Sequence, residues 1–283
     1  MEIVLAEHAG FCFGVRRAIE RAVAETAQRG RLYSQGPLIH NRQAVDQLRE
    51  QGLEPIEDID DAPPGATVML RTHGVGPTVY DRARERGLEV IDTTCPFVAR
   101  AQREAARLHK AGYQVLVLGE PEHPEAQAIR EHTGGAADIV QCADDLVGRE
   151  LKRRIAVVCQ TTQRVETLQE LVRYLIPKVS DLAIANTICD ATTQRQEAAL
   201  QMARGVDMVV VIGGRHSANT TRLAQICADA GKPTHHIETA EEVDCAWLEG
   251  VERVGVTAGA STPDEAIRET IARLEGCARE RGD

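Results

Sequence analysis

Gly10-Phe11-Cys12-Phe13-Gly14-Val15-Arg16-Arg17 is the stretch on which the reading of this 283-residue chain turns. A short apolar run, Ile3-Val4-Leu5-Ala6, precedes it, and a helical pattern from Val15 to Arg29 follows it. The same succession occurs twice more. Cys95 stands in Asp92-Thr93-Thr94-Cys95-Pro96-Phe97-Val98, after Leu88-Glu89-Val90-Ile91 and before a helical pattern from Val98 to Ala111. Cys189 stands in Asn186-Thr187-Ile188-Cys189-Asp190-Ala191-Thr192, after Leu182-Ala183-Ile184-Ala185 and before a pattern from Thr192 to Ala203. Apolar run, cysteine, helix period is the signature of a strand end meeting a helix start, met here three times.

Other features recur in step with the cysteines, which is the mark of an internal repeat. Position 28 after each cysteine is His40, His123 or Ser217, each in a turn-rich loop before a further helical pattern: Arg42 to Gln51, Ala126 to Glu131, Thr220 to Ala230. Clear strands precede two of these loops, Val115-Leu116-Val117-Leu118 and Met208-Val209-Val210-Val211-Ile212, and a weaker one lies at Leu32-Tyr33-Ser34. A second loop also repeats. Val68-Met69-Leu70 leads to Arg71-Thr72-His73-Gly74, Ile155-Ala156-Val157-Val158 to Cys159-Gln160-Thr161-Thr162, and Val254-Gly255-Val256 to Thr257-Ala258-Gly259-Ala260-Ser261. Helical patterns follow each of these (Thr78 to Arg86, Val165 to Leu175, Pro263 to Leu274).

Strand and helix alternating at this spacing predict an α/β fold of parallel sheets with crossover helices. The expected organisation is three small α/β units, 12–94, 95–188 and 189–283, related by a pseudo-threefold axis. The third unit has no strand after its last helix, so the N-terminal segment 1–11 is expected to join it and close the ring. The tail Glu280-Arg281-Gly282-Asp283 is expected to fray.

Composition narrows the function. Aromatic residues are 3% of the chain, so its core must be aliphatic, and a formal charge of −10 opposes general nucleic-acid binding. No apolar run approaches the roughly 20 residues needed to cross a bilayer. Met1-Glu2-Ile3-Val4-Leu5 is too short and too acidic for a signal peptide, and a cytoplasmic location is expected. In such a compartment the eight cysteines are expected to be thiols, metal ligands or nucleophiles, not staples.

Ligands of parallel α/β units bind outside the carboxyl ends of the strands, where all three repeated cysteines fall. A helix N-terminus lowers a thiol's pKa and favours thiolate. A single such cysteine is commonly just a small buried apolar residue. Three at matched strand ends, beside Gly and Thr-Thr, point to a shared ligand. Zinc on three sulfurs is one option, but it favours close C-x-x-C pairs, and there are none here. A four-iron cluster on three thiolates fits better and leaves one iron open to substrate. Cys142, Cys159, Cys227, Cys245 and Cys277 lack the repeat and are read as structural.

The repeated loops supply His40, His73, His123, Thr161, Thr162, Ser217, Asn219 and Ser261. Imidazoles, hydroxyls and an amide near helix N-termini suit an anion such as a diphosphate. Neither a G-x-x-x-x-G-K-[ST] loop nor a G-x-G-x-x-G after a strand is present, so a nucleotide is not implied. One carboxylate stands out: Glu125, two residues after His123, is either a first-turn glutamate complementing the helix dipole or a general acid. His8, His109, His132, His235 and His236 carry no repeat signal and are read as surface residues.

In order along the chain, Gly10-Phe11-Cys12, Leu38-Ile39-His40-Asn41-Arg42, His73-Gly74-Val75, Thr94-Cys95-Pro96, His123-Pro124-Glu125, Gln160-Thr161-Thr162, the segment from Ile188-Cys189 to Arg195-Gln196, and Val256-Thr257-Ala258-Gly259-Ala260-Ser261 resemble the LytB/IspH family of hydroxymethylbutenyl diphosphate reductases. The resemblance spans essentially the whole chain. It implies a [4Fe-4S] cluster with three Cys ligands (Cys12, Cys95 and Cys189) and one open iron. It implies diphosphate binding by His40, His73, His123, Ser217, Asn219 and Ser261, Thr161 near the substrate's hydroxyl end, and Glu125 as proton source. The implied reaction is a two-electron reductive dehydroxylation that yields isopentenyl and dimethylallyl diphosphates, the last step of the non-mevalonate isoprenoid pathway. Flavodoxin or ferredoxin would supply the electrons, with no nucleic-acid or membrane partner. A three-cysteine iron–sulfur hydro-lyase and a zinc-stabilised binding scaffold are the competing readings. Ala218 stands where the family often has a second serine, and Phe13 where many members have a small residue.

Overall fold

Runs such as Met208-Val209-Val210-Val211-Ile212 have no polar side to turn to water, so both faces of the strand must be covered, and in the computed structural model all five residues are buried. The structure describes residues 1–280. The elements follow in chain order: β1 (Glu2–Leu5), α1 (Phe13–Arg29), β2 (Leu32–Gln35), α2 (Arg42–Glu50), β3 (Leu53–Ile56), β4 (Thr67–Leu70), α3 (Pro77–Glu85), β5 (Glu89–Asp92), α4 (Pro96–Lys110), β6 (Gln114–Leu118), α5 (Pro124–Glu131), β7 (Asp138–Val140), β8 (Arg154–Cys159), α6 (Val165–Leu175), β9 (Asp181–Ala185), α7 (Asp190–Arg204), β10 (Met208–Ile212), α8 (Ala218–Asp229), β11 (Thr234–Ile237), β12 (Arg253–Ala258) and α9 (Asp264–Glu280). Of the tail expected to fray, Glu280 closes α9 and residues 281–283 lie outside the described residues.

The strands form three four-stranded sheets with one topology, β3-β2-β4-β5, β7-β6-β8-β9 and β11-β10-β12-β1. Every pairing is parallel. β1 pairs with β12 from Glu2 opposite Arg253 to Leu5 opposite Val256, so the first strand of the chain completes the sheet of the last segment. The outer strands β3, β7 and β11 have no counterpart in the sequence reading, which foresaw three strands per repeat. They are short and lie at sheet edges, and Leu53-Glu54-Pro55-Ile56 and Thr234-His235-His236-Ile237 carry no continuous apolar run to announce them.

Two compact units are present: Met1–Arg16 with Ile39–Gln47 and the segment from Asp190 onward, and Arg17–Leu38 with Leu48–Cys189. The unit that holds both chain ends contains the β11-β10-β12-β1 sheet. On one face of that sheet, Val210, Ile212, Val254 and Val256 pack with Ile267 and Leu274 of α9. On the other, Val209 and Val211 pack with Ala199 and Met202 of α7 and Leu223 of α8. The other unit contains the remaining two sheets. There Leu116, Leu118, Val157 and Cys159 pack on Leu168, Leu171 and Leu175 of α6, and Val115, Val117 and Val158 pack on Ala101, Ala105 and Ile129 of α4 and α5. Alternate residues of one strand thus face opposite helical layers, as period-two geometry requires.

One expectation is corrected. Cys245 and Cys277 form a disulfide, with Cα atoms 5.1 Å apart. A short 3-10 turn, Cys245–Leu248, packs against α9 and brings the two sulfurs together within one core cluster. Cys159 and Cys227 are buried, and burial pushes their thiols up to about 12 and about 11, which makes both inert at neutral pH.

Candidate active site

Each repeated cysteine lies just beyond the carboxyl end of a sheet's last strand, and the same hydrogen bond holds it three times. The Cys12 N–H donates to the Ala260 carbonyl (3.0 Å), Cys95 N–H to Thr72 (3.0 Å) and Cys189 N–H to Thr161 (3.1 Å). The acceptors belong to the loops after β12, β4 and β8, the second repeated loop of each sheet. All three cysteines are half-buried, and α1, α4 and α7 begin directly after them. Cys95 is itself the N-cap of α4, with Pro96 in the first turn.

In the unit spanning Arg17–Leu38 and Leu48–Cys189, the loops after β6 and β8 bring Glu125 and Thr161 together. The Glu125 carboxylate accepts the Thr161 N–H at 2.6 Å on Oε1 and the Thr161 hydroxyl at 2.9 Å on Oε2. Glu125 is 2% exposed and Thr161 6%. Burial pushes the Glu125 carboxyl up to about 7; the two Thr161 hydrogen bonds pull against that, and the charge of Glu120 adds to it. Glu125 is a first-turn residue of α5, but one turned into the protein.

His123 caps the same helix. Its Nδ1 accepts the Glu125 N–H at 3.1 Å, which leaves Nε2 to carry the proton of the neutral ring and to act as a donor. The His73 and His123 rings meet edge to face, centroids 5.5 Å apart. Gln160, fully buried, braces both loops: its Oε1 accepts the Glu120 N–H and its Nε2 donates to the Thr162 hydroxyl, each at 2.9 Å. The sequence reading gave Gln160 no role, and nothing in a lone glutamine signals one.

In the other unit, Ser217 caps α8, its hydroxyl accepting the Thr220 N–H at 3.4 Å. Asn219 is 5% exposed, yet neither its amide oxygen nor its amide nitrogen has a hydrogen-bond partner among the described residues. A buried amide without a hydrogen-bond partner in the protein is costly, and both its donor and its acceptor stay available to a polar group. Ala218 opens α8, whose first turn presents backbone N–H groups where the family often has a second hydroxyl. His40 is half-buried and stands one residue before Asn41, whose Oδ1 accepts the Ala44 N–H at the start of α2. Gly214 lets this loop approach, since a Cβ there would lie 2.8 Å from the His40 carbonyl oxygen. Ser261 is half-buried in the loop after β12.

The histidines without repeat signal are corrected in part. His132 is half-buried with Nε2 3.2 Å from the Val75 carbonyl, and His235 stacks on Trp247 with ring centroids 3.8 Å apart. His236 Nε2 donates to the Gly213 carbonyl at 2.8 Å and so supports the Gly213-Gly214 turn. Phe13 is 65% exposed, so the larger ring at that position does not fill core space.

A family model described as LytB protein matches residues 3–275. The chain belongs to the LytB family. LytB-family relatives include the 4-hydroxy-3-methylbut-2-enyl diphosphate reductase of Geobacter sulfurreducens, 45% identical over 275 residues and covered, like this chain, to 97%. The reductase of the same name from Geobacter sp. (strain M21) is 44% identical over 274 residues, again 97% of each chain. Among solved structures, the E-1-hydroxy-2-methyl-but-2-enyl-4-diphosphate reductase from Plasmodium falciparum is similar with a TM-score of 0.90 at 26% identity, over 96% of this chain and 87% of that one. An (E)-4-hydroxy-3-methyl-but-2-enyl diphosphate reductase described as the terminal enzyme of the non-mevalonate pathway matches with a TM-score of 0.70 at 39% identity, over 98% and 100%. No helix among the described residues of this LytB-family chain is long and apolar enough to cross a membrane.

Proposed function

We propose that this chain reductively removes the allylic hydroxyl of (E)-4-hydroxy-3-methylbut-2-enyl diphosphate, giving isopentenyl and dimethylallyl diphosphates in the cytoplasm. The observation that carries the reading is the Glu125–Thr161 pair: a buried carboxyl that keeps a proton near neutral pH, hydrogen-bonded to a hydroxyl. The balanced reaction consumes the alcohol, two electrons and two protons, and releases water and an alkene. Breaking the C–O bond requires a proton on the departing oxygen, and a group with a pKa near the working pH serves this step best.

Cys12, Cys95 and Cys189 are the proposed ligands of a [4Fe-4S] cluster. Their donor chemistry fits: three half-buried sulfurs, each ahead of a helix N-terminus and each held by the same backbone bond. When bound, the cluster supplies the electrons, received from flavodoxin or ferredoxin, and an open iron that acts as Lewis acid. The protein's own groups do the rest. His40, His73, His123, Ser217, Asn219 and Ser261 take the diphosphate, with the Nε2–H of His123 and the Asn219 amide as donors. Thr161 donates its hydroxyl proton towards the substrate's hydroxyl end and recovers it from Glu125. Burial of both residues keeps bulk water from short-circuiting the transfer.

The test is anaerobic turnover with dithionite and a viologen. Two reducing equivalents consumed per diphosphate product support the reading. Product formation without consumption of reductant refutes it and leaves the hydro-lyase. A colourless, zinc-loaded protein refutes both. In Cys189→Ser the iron content should collapse, and full iron with full turnover would remove Cys189 from the ligand set.

A further inference from the structure

Three arginines make one kind of bond around the repeated cysteines. Arg17, on α1 after Cys12, donates to the carbonyl of Thr94, the residue before Cys95, at 3.3 Å. Arg100, on α4 after Cys95, donates to the carbonyl of Asn186, three residues before Cys189, at 3.5 Å. Arg195, on α7 after Cys189, donates through Nη2 to the carbonyl of Gly10, two residues before Cys12, at 2.8 Å. Donors and acceptors follow one another in cyclic order along the chain: each cysteine's helix holds the segment that carries the next cysteine.

Arg195 makes the shortest and most buried of these bonds. It is 6% exposed, and its Nη1 also donates to the Ala191 carbonyl at 3.0 Å. One rigid guanidinium therefore grips a carbonyl two residues ahead of Cys12 and another two residues past Cys189. A planar fork can do this with fixed geometry, whereas a lysine ammonium is a single point on a flexible stem. The Cys12 segment has little freedom left. Gly10 sits at φ +91°, where a Cβ would lie 2.9 Å from the Asp264 carboxylate, and beyond it the Cys12 N–H is tied to Ala260. With the Gly10 carbonyl held by Arg195, Cys12 is fixed from both sides.

We propose that Arg195 is a positioning residue for the metal group: it sets the Cys12 segment against the start of α7 and places a permanent positive charge beside the cysteine-bearing backbone. The inference rests on the cluster reading above. Groups that orient metal ligands commonly change metal affinity by about 10–100-fold when removed. Positive charge and hydrogen bonds near the ligand sulfurs also favour the reduced state of a cluster.

The experiment compares wild type, Arg195→Met and Arg195→Lys as anaerobically prepared holoprotein. It measures bound iron, the rate of iron loss to a chelator and the cluster's midpoint potential. Arg195→Met should release iron about 10–100-fold faster and shift the potential to more negative values. Arg195→Lys keeps the charge but loses the fork, so iron loss should still accelerate while the potential stays near that of wild type. Wild-type iron retention and potential in Arg195→Met would overturn the proposal. So would iron loss that merely tracks loss of the folded signal of Trp247. Should Arg195→Met not fold, Arg195→Lys decides alone, and an unchanged iron-loss rate in it overturns the proposal. Wild-type protein that takes up no iron sinks the cluster reading itself, a result distinct from loaded wild type behaving like its variants.

Discussion

Replacing Glu125 by Gln should make the protein's stability less sensitive to pH, by an amount the structure supplies. Burial raises the carboxyl from the usual 4.5 to about 7. Below pH 4.5 the group is protonated in both folded and unfolded chains and contributes no pH dependence. Between 4.5 and 7 the unfolded chain releases the proton and the folded chain keeps it, so stability falls as pH rises, and above 7 the loss is complete. At 1.36 kcal/mol per pH unit the loss comes to about 3 kcal/mol. Glutamine keeps the shape: its Oε1 can accept the Thr161 N–H, and its Nε2 can donate to the Thr161 hydroxyl. E125Q should therefore match wild type near pH 4.5 and exceed it by about 3 kcal/mol at pH 8. The assay is urea unfolding of metal-free protein across that range. Tyr33, Tyr80, Tyr113 and Tyr174 all lie in the unit that contains Glu125, whereas Trp247 lies in the other, so tyrosine near-UV circular dichroism reports the relevant transition. Parallel stability curves for wild type and E125Q from pH 4.5 to 8 would refute the argument. The same variant should have lost nearly all turnover, so stability and activity move in opposite directions.

Asn219→Ala should leave stability unchanged or raise it by about 1 kcal/mol, because an unpartnered buried amide is removed, while affinity for inorganic diphosphate falls. Ser217→Ala should weaken diphosphate binding too, but at a cost of about 1 kcal/mol of stability, because the α8 cap is lost with it. Calorimetric titration and thermal melts distinguish the two. Thr161→Val should lower kcat by about 10²–10⁴-fold with little change in diphosphate affinity, measured in the viologen assay; wild-type kcat would remove the hydroxyl from the proton route. Cys277→Ser should lower the urea midpoint seen by Trp247 fluorescence, through a stability loss of about 4 kcal/mol for a closed loop of this length. Peptide mapping of non-reduced protein should recover Cys245 and Cys277 in one linked fragment.

The central strands β4, β6, β8 and β10 were legible because each carries an unbroken apolar run, and the repeat aligned their loops and those of the weaker β2 and β12 before any contact was known. Several helix starts were read late, though those at Arg42 and Val165 match. Helices patterned from Val98 and Ala126 begin at Pro96 and Pro124, since proline needs no N–H partner in a first turn. The edge strands β3, β7 and β11 escaped, unlike the edge strands before the cysteines, because short mixed segments such as Asp138-Ile139-Val140 suffice where one side of a strand has no neighbour. Of the candidate residues, Glu125 and Thr161 were singled out by loop position, but their mutual bond depends on two loops 36 positions apart. Arg195 and Gln160 were out of reach for a different reason. Each acts by hydrogen bonds that span the chain, Arg195 to an acceptor 185 positions away, and no local pattern encodes such a partner. The disulfide escaped for the same reason, its cysteines being 32 residues apart with no motif to pair them.

The pairing of β1 with β12 has a consequence for biogenesis. β1 finds its hydrogen-bonding edge, from Arg253 to Val256, only after the segment that carries β12 has been made. Until then Cys12 also lacks the Ala260 carbonyl that anchors it. A chain cut short before that point leaves the β1 segment without its partner strand and Cys12 without the carbonyl that holds it.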